Sequence, residues 1–530
     1  MKHLTLGVVL LCTAFLGCAG EKAGKNEINI AFGTEPPILD STKATDTVSG
    51  LVLLHTKEGL MRWDAQNKLA LGVAERYELT DAGTTFYLRK DAKWSDGKPV
   101  TAHDFVFAWR KVIEPATASE YAFIIYPIKN AEAINRGEKG PEALGAIAID
   151  DHTLKVTYEK PCGYFLGLTA FATYLPIRED FYNSRGGRYA AEAEDLLYNG
   201  RFMLTEWVHG ASLQFVKNPN YWNRDDVKID KINVPYITED PRARFNLFRD
   251  GKIDIVGLDN NTYKEAVKMR YRIRKFQNGC IWFLEFNHRE GRLTRNVNLR
   301  RAIQAVVDPK ELVDKVIARP GPRAAYTLFP AWLNGVKDKF NREYPVSRTK
   351  PDYEAAEMYL KSAREELGLE KIPDLIWLTG VVDTSAKEAE YFQELFKSRL
   401  GFGLKIDKQI FKLRLAKMTS GDFDIVSAGW CPDFSDPMTF ADLFASWNEN
   451  NRGRYNNPDY DRLIRVAQGT ADQQTRMDAM GSLQDIIRDD VAVLPTYEMG
   501  LVYIQSERLK GVTRQVIGAD PDFNYCWIEE

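Results

Sequence analysis

Ser385-Ala-Lys-Glu-Ala-Glu-Tyr-Phe-Gln-Glu-Leu-Phe-Lys-Ser-Arg-Leu400-Gly401, followed by Leu404-Lys-Ile-Asp-Lys-Gln-Ile410, joins a helical pattern to a strand pattern. In the first segment apolar residues recur at helical spacing, and Gly401 stands where a helix stops on a residue that tolerates positive φ. In the second, Leu404 and Ile406 alternate with Lys405 and Asp407, the two-residue period of a half-buried strand. Residues 352–367 repeat the helical spacing, and residues 374–378 and 422–428 read as further short strands. Helices alternating with strands predict an α/β lobe with a mostly parallel sheet.

Upstream, Asp308-Pro309-Lys310-Glu311 places a cap, a first-turn proline and an acid in the order of a helix start. Trp94-Ser95-Asp96-Gly97-Lys98-Pro99 is a tight turn, and Thr101-Ala102-His103-Asp104 after it is a Thr-x-x-acid helix cap reaching Trp109 and Arg110. Residues 27–32 form an alternating strand that ends in the turn Gly33-Thr34-Glu35-Pro36-Pro37. Residues 61–188 mix hairpin, turns and helices without the β-α rhythm and read as an inserted domain. No internal repeat or low-complexity tract is present.

A chain of 530 residues exceeds one ordinary core, so two or three domains are expected. Lys plus Arg total 71 against 74 Asp plus Glu, and a net charge of −3 gives no basic face for nucleic acid. The N-terminus reads as an export signal: Met1-Lys2-His3 is basic, and residues 4–16 form an apolar run too short to span a bilayer as a helix. Phe15-Leu16-Gly17-Cys18 looks like a bacterial lipobox, with Phe15 where Leu is usual. The expectation is a signal peptide over 1–17, a lipid on Cys18, a polar tether over 18–26, and a location in the periplasm or at the cell surface. Of the six cysteines, Cys12 lies in the signal and Cys162, Cys280, Cys431 and Cys526 lie beyond Cys18, none in a C-x-x-C pair. Zinc is therefore not expected, and export favours a long-range disulfide.

Enzyme signatures are missing. There is no Gly-x-Ser-x-Gly elbow, no phosphate-binding Gly-Lys-Ser/Thr loop and no His-Glu-x-x-His. The six His are scattered, and those outside the signal read as surface or structural residues. Neither an enzyme nor a cofactor is expected.

Several segments together resemble the peptide/nickel family of extracytoplasmic solute-binding proteins, in its oligopeptide branch. They are Ala92-Lys-Trp-Ser-Asp-Gly-Lys-Pro-Val-Thr-Ala-His-Asp104, Asn199-Gly-Arg-Phe202 with Asn218-Pro-Asn-Tyr-Trp222, and Arg300-Arg-Ala-Ile303 running to Asp308. Further along come Gly421-Asp-Phe-Asp424 with Ala428-Gly-Trp-Cys-Pro-Asp433, and Tyr455-Asn-Asn-Pro-Asp-Tyr-Asp461. The resemblance implies a two-lobed α/β periplasmic-binding-protein fold of type II with a ligand buried between hinged lobes. Lobe I would comprise 27–60, 190–279 and 495–530, an inserted α+β domain 61–189, and lobe II 280–494.

By the same resemblance, Cys280 and Cys431 form a disulfide, and Cys162 and Cys526 stay free. Asp433 holds a peptide's α-ammonium, Glu35 and Glu285 line the cleft, and Phe283, Trp430, Phe411 and Tyr497 form its aromatic walls. The implied partners are short peptides and the membrane permease subunits of an ABC importer, with the protein a monomer. One departure stands out. The family's basic residues for the peptide C-terminus fall here on Met418, Ser427 and Ala386, which cannot pair with a carboxylate. Arg414 and Lys417 are near in sequence. The competing readings are the same fold around a metal chelate, haem, a sugar or a modified peptide, and a secreted hydrolase.

Overall fold

Two long antiparallel strands, Arg274–Phe286 and Val493–Gln505, run side by side and tie the halves of the molecule together. The computed structural model describes residues 26–347 and 350–529; the export signal, Cys18 and most of the tether lie outside the described residues. The paired strands are central to a seven-stranded sheet with the order Ile255–Gly257, Val493–Gln505, Arg274–Phe286, Ile425–Trp430, Leu375–Gly380, Leu404–Gln409, and Arg323–Ala324 added beside Val493–Gln505.

Only the last three strands of that order pair in parallel; every other pairing is antiparallel. The mostly parallel sheet expected from sequence is therefore a mixed one. Parallel neighbours need a crossover, usually a helix. The segment from Leu375 to Trp430 supplies two, Asp383–Leu400 and Phe411–Ser420. The crossing strands run antiparallel between the lobes instead, Arg274–Phe286 entering lobe II and Val493–Gln505 leaving it. Within Arg274–Phe286 the register shifts between Gln277 and Ile281. Gly279 lies there at φ 75°, where a Cβ would stand 2.6 Å from Val516 Cγ1, so this joint admits only glycine without rearrangement.

Helix Tyr353–Leu367 starts on the Asp352 carboxylate, which accepts from the Ala355 N–H at 2.9 Å, and Asp383–Leu400 ends at Gly401 with φ 72°. The strand read over 422–428 lies instead at Ile425–Trp430. Residues 421–424 are taken by the end of the Phe411–Ser420 helix and by Asp424, whose carboxylate accepts from the Ile376 N–H at 2.7 Å. Pairing with Arg274–Phe286 then carries the strand on to Trp430, opposite Ile281.

Lobe I holds a four-stranded sheet in the order Glu27–Phe32, Lys231–Ile237, Ser212–Lys217, Phe202–Val208. Ile28, Phe202, Phe215 and Val234 pack there with Leu509 and Phe523 from the C-terminal tail. His55 is structural: its ring bonds the Leu51 carbonyl and accepts from the Phe523 N–H at 3.0 Å. A separate apolar layer of Phe245, Val256, Val502 and Ile504 seats the crossing strands on this lobe.

The inserted segment carries an antiparallel sheet, Ala74–Thr80, Gly83–Leu88, Thr153–Thr157, Ala146–Asp150, behind which Phe105, Trp109 and Val112 of helix Ala102–Ile113 are buried. That helix has the Thr101/Asp104 capping box read from sequence. Its core does not end at the insert. Phe86, Trp109 and Tyr174 belong to one continuous apolar cluster with Ile281, Phe283, Trp430 and Phe434 of lobe II. Among the described residues no helix is long and apolar enough to cross a membrane.

Candidate functional site

Strand Ile425–Trp430 is paired along its length with Arg274–Phe286, but meets Leu375–Gly380 only at Ile425 and Val426. From Ser427 to Trp430 the other side of its main chain has no strand partner among the described residues. That is an open sheet edge, able to add an extended segment through backbone hydrogen bonds.

The edge runs into Cys431, which is bridged to Cys280 with the Cα atoms 4.1 Å apart. The Pro432 carbonyl then accepts from the Gly518 N–H at 2.9 Å, and Asp433 follows. Its N–H donates to Thr439 Oγ1 at 3.0 Å, and both carboxylate oxygens lie 3.2 Å from the Tyr121 hydroxyl, which donates to them. Asp433 is only 8% exposed and makes no ion pair among the described residues. Burial pushes its carboxyl well above the usual carboxylate range. A buried carboxylate without a cation is costly, so this site favours the arrival of a positive group.

The two-residue period of the strands sorts the residues singled out from sequence onto two faces. Phe283, Glu285 and Trp430 share a face with Ile281 and Ala428, directed toward the apolar cluster that includes the insert. Phe283 is buried and meets Phe444 edge-on at 5.6 Å. Glu285 is buried, accepts from the Gly453 N–H at 2.5 Å, and is pushed up to about 7 by burial. Trp430 meets Tyr121 edge-on at 6.0 Å, and its buried indole N–H has no acceptor among the described residues. On the opposite face Tyr497 stacks over Trp282 at 6.0 Å and donates from its hydroxyl to Glu388 at 2.8 Å.

Phe411 lies near the Ser427 end of the edge, beside Arg414, whose guanidinium donates to the Ser427 carbonyl at 3.0 Å. Glu35 stays within lobe I, accepting from the Trp207 indole at 3.0 Å and bonded to His209 at 2.6 Å. The structure thus puts Phe283, Glu285 and Trp430 on one face, with Asp433 just beyond Trp430 and Glu285 at the far end of the strand, and places Tyr497 on the opposite face, Phe411 beside Arg414 and Glu35 in lobe I. Met418 is buried among apolar residues, the Ser427 hydroxyl is spent on Glu388, and Lys417 is held by Asp407 and Asp422. Arg414 stands beside the edge through its bond to the Ser427 carbonyl.

Tyr121 was not legible in the sequence: it is one of 24 tyrosines and lies 312 residues from the carboxylate it serves. Glu388 was hidden in the same way, as one acid of an amphipathic helix. Tyr121 belongs to the insert and Asp433 to lobe II, and two ion pairs cross the same boundary. Arg452 reaches Glu120 at 2.8 Å, and Arg465 grips Glu132 at 2.9 and 2.6 Å.

Residues 68–452 match the family model for bacterial extracellular solute-binding proteins, family 5. The chain is similar to the oligopeptide-binding protein OppA of Bacillus subtilis, 33% identical over 93% of this chain and 91% of that protein. It superimposes on the substrate-binding domain of an oligopeptide ABC transporter from Bacillus anthracis with a TM-score of 0.91 at 34% identity, covering 96% of this chain and 100% of that one. Listeria monocytogenes OppA bound to peptide gives a TM-score of 0.90 at 32% identity over the same shares. One structure of the Escherichia coli murein tripeptide-binding protein MppA gives 0.86 at 26% identity, covering 96% of this chain and 99% of that one. Its unliganded open form gives 0.64 at 26%, covering 96% and 98%. Identity and coverage hardly change between those two, so the drop reflects how the domains are arranged. The arrangement here is not the open one.

Proposed function

The chain belongs to the bacterial extracellular solute-binding proteins, family 5, and on that premise we propose that it captures short peptides in extended form and delivers them to the permease of an ABC importer. The observation that carries this reading is the open edge of Ser427–Trp430 ending at the buried, unpaired carboxylate of Asp433. A peptide's main chain pairs with the edge without regard to sequence, and its α-ammonium supplies the cation that Asp433 lacks. Trp430 and Tyr121 wall the ammonium end. Arg414, at the Ser427 end, takes the terminal carboxylate that Met418, Ser427 and Ala386 cannot hold.

In this reading the protein acts outside the cytoplasm as a monomer, tethered through a lipid on Cys18, and returns its peptides uncut. Phe283 and Glu285 support the site from behind, and Glu35 approaches it from lobe I. The test is mass spectrometry of ligands released by denaturing the purified protein. A mixture of short peptides with free N-termini is expected. Recovery of a sugar, a haem or a metal chelate in stoichiometric amount, without peptides, would overturn the reading.

A further inference from the structure

Beside the peptide site, a cavity of about 570 Å³ opens between the insert and lobe II. Its walls come from both. Phe123, Tyr126 and Tyr164 stand on one side, and Phe434, Asp442 and Arg465 on the other. The volume lies within the range of small-molecule sites. Tyr164 and Phe434 stack across the boundary with ring centres 4.9 Å apart.

Asp442 is the feature that a packing role leaves unexplained. It is 6% exposed and lines the cavity. Among the described residues its carboxylate makes no ion pair and accepts no hydrogen bond from another residue. Of the nearby acids, Asp436 takes both oxygens to Arg476 at 2.8 Å and Glu132 is held by Arg465 and Arg136, while Asp433, which has no ion pair among the described residues, does not line the cavity. At the rim, Arg136, Lys139 and Lys160 stand with Glu138 and Glu159, a near-balanced set. The unanswered charge is therefore the deep one, an acid among aromatic rings. Burial and the nearby carboxylates of Asp433 and Asp436 push the Asp442 carboxyl well up.

We propose that this cavity is a second ligand site, which takes a small ammonium compound with an aromatic or aliphatic body independently of the peptide. The ammonium pairs with Asp442, where it is also stabilised by the faces of the surrounding rings. The body fills the space between Tyr126, Tyr164 and Phe434. Because the walls belong to two domains, occupancy favours the closed arrangement, and by linkage it tightens peptide binding while peptide tightens it.

Tryptamine is a suitable probe, with indole-3-propionate as its acidic counterpart. Calorimetry is expected to show saturable tryptamine binding and none of the acid. Asp442→Asn and the cavity-filling Ala133→Trp each weaken tryptamine by at least about tenfold, while Asp433→Ala leaves it bound. Saturating tryptamine raises peptide affinity by about fivefold or more. The Ala133→Trp variant changes a half-buried helix position and keeps Asp442, so it tests the site even if Asp442→Asn fails to fold. The proposal falls if tryptamine does not bind saturably, if it binds equally to both variants, if the acid binds as well, or if Asp433→Ala abolishes it. In that last case the amine occupies the peptide site. The tryptamine measurements stand whether or not peptides are the main cargo.

Discussion

Glu285 and Asp433 are both buried carboxylates, but burial does different things with them. Glu285 has a backbone donor, Gly453, and among the described residues no ion-paired cation, and it holds its proton up to about 7. An unfolded Glu releases its proton near 4.5, so between about 4.5 and 7 the folded state binds more protons than the unfolded one. The folded-state pKa is raised, and for an acid this means stability is lost as pH rises through that window. Glu285→Gln keeps an acceptor for the Gly453 N–H and removes the titration. At pH 8 the variant should be the more stable by up to about 3 kcal/mol, with the difference fading below pH 4.5. Urea unfolding of both proteins at the two pH values checks this. A variant no more stable than the parent at pH 8 would show that Glu285 ionises without penalty. The same scale marks where sequence reading stops. Asp433 stood in a recognisable Trp-Cys-Pro-Asp run, whereas Tyr121 carries no local signal, because its role exists only once the insert folds onto lobe II.

Elements were legible where their ends carry chemistry of their own. The caps at Asp352 and Thr101 and the stop at Gly401 are local, and each helix lies where its cap placed it. The strand around residue 425 was misplaced by its pairing, since a long-range neighbour, Arg274–Phe286, sets where it ends. The sheet's mixed direction was hidden for the same reason. The Cys280–Cys431 bridge joins these two strands at the mouth of the open edge, across 151 residues of chain. Closing so long a loop restricts the unfolded state by roughly 5 kcal/mol at most. Reduction, or the pair Cys280→Ser and Cys431→Ser, is expected to lower unfolding stability by about 2–4 kcal/mol and to weaken peptide binding by loosening the edge. Denaturant curves of the oxidised and reduced protein measure the first, and calorimetry the second. Unchanged curves would mean that the strand pairing alone holds the edge in place.

Across the whole molecule, the two lobes were implied by the family resemblance and the insert by the break in β-α rhythm over 61–188, but the fusion of the insert's core with that of lobe II was not legible. Apolar contact between units far apart in sequence leaves no periodic trace. Any opening that separates the insert from lobe II parts Tyr121 from Asp433, Glu120 from Arg452 and Glu132 from Arg465. The ligand-free protein is therefore expected to populate an open form, and saturating peptide should lower the radius of gyration in solution scattering while raising the melting temperature by mass action. Curves that do not change with peptide would argue for a rigid molecule. Closure also dries the space around Asp433, so an ammonium bound there would be worth far more in the closed form than in water. Losing one partner of a buried charged pair costs about 2–5 kcal/mol, which is roughly 30-fold to several thousand-fold in affinity. The most direct measurement is a calorimetric double cycle of parent and Asp433→Ala protein against one peptide with a free and an acetylated N-terminus. The acetyl group's bulk weakens binding to both proteins alike, so the coupling between the two changes is the quantity to read. The account predicts strong non-additivity, with acetylation costing the parent far more than the variant. A coupling near zero would contradict it, because Asp433 would then not be what holds the peptide's ammonium.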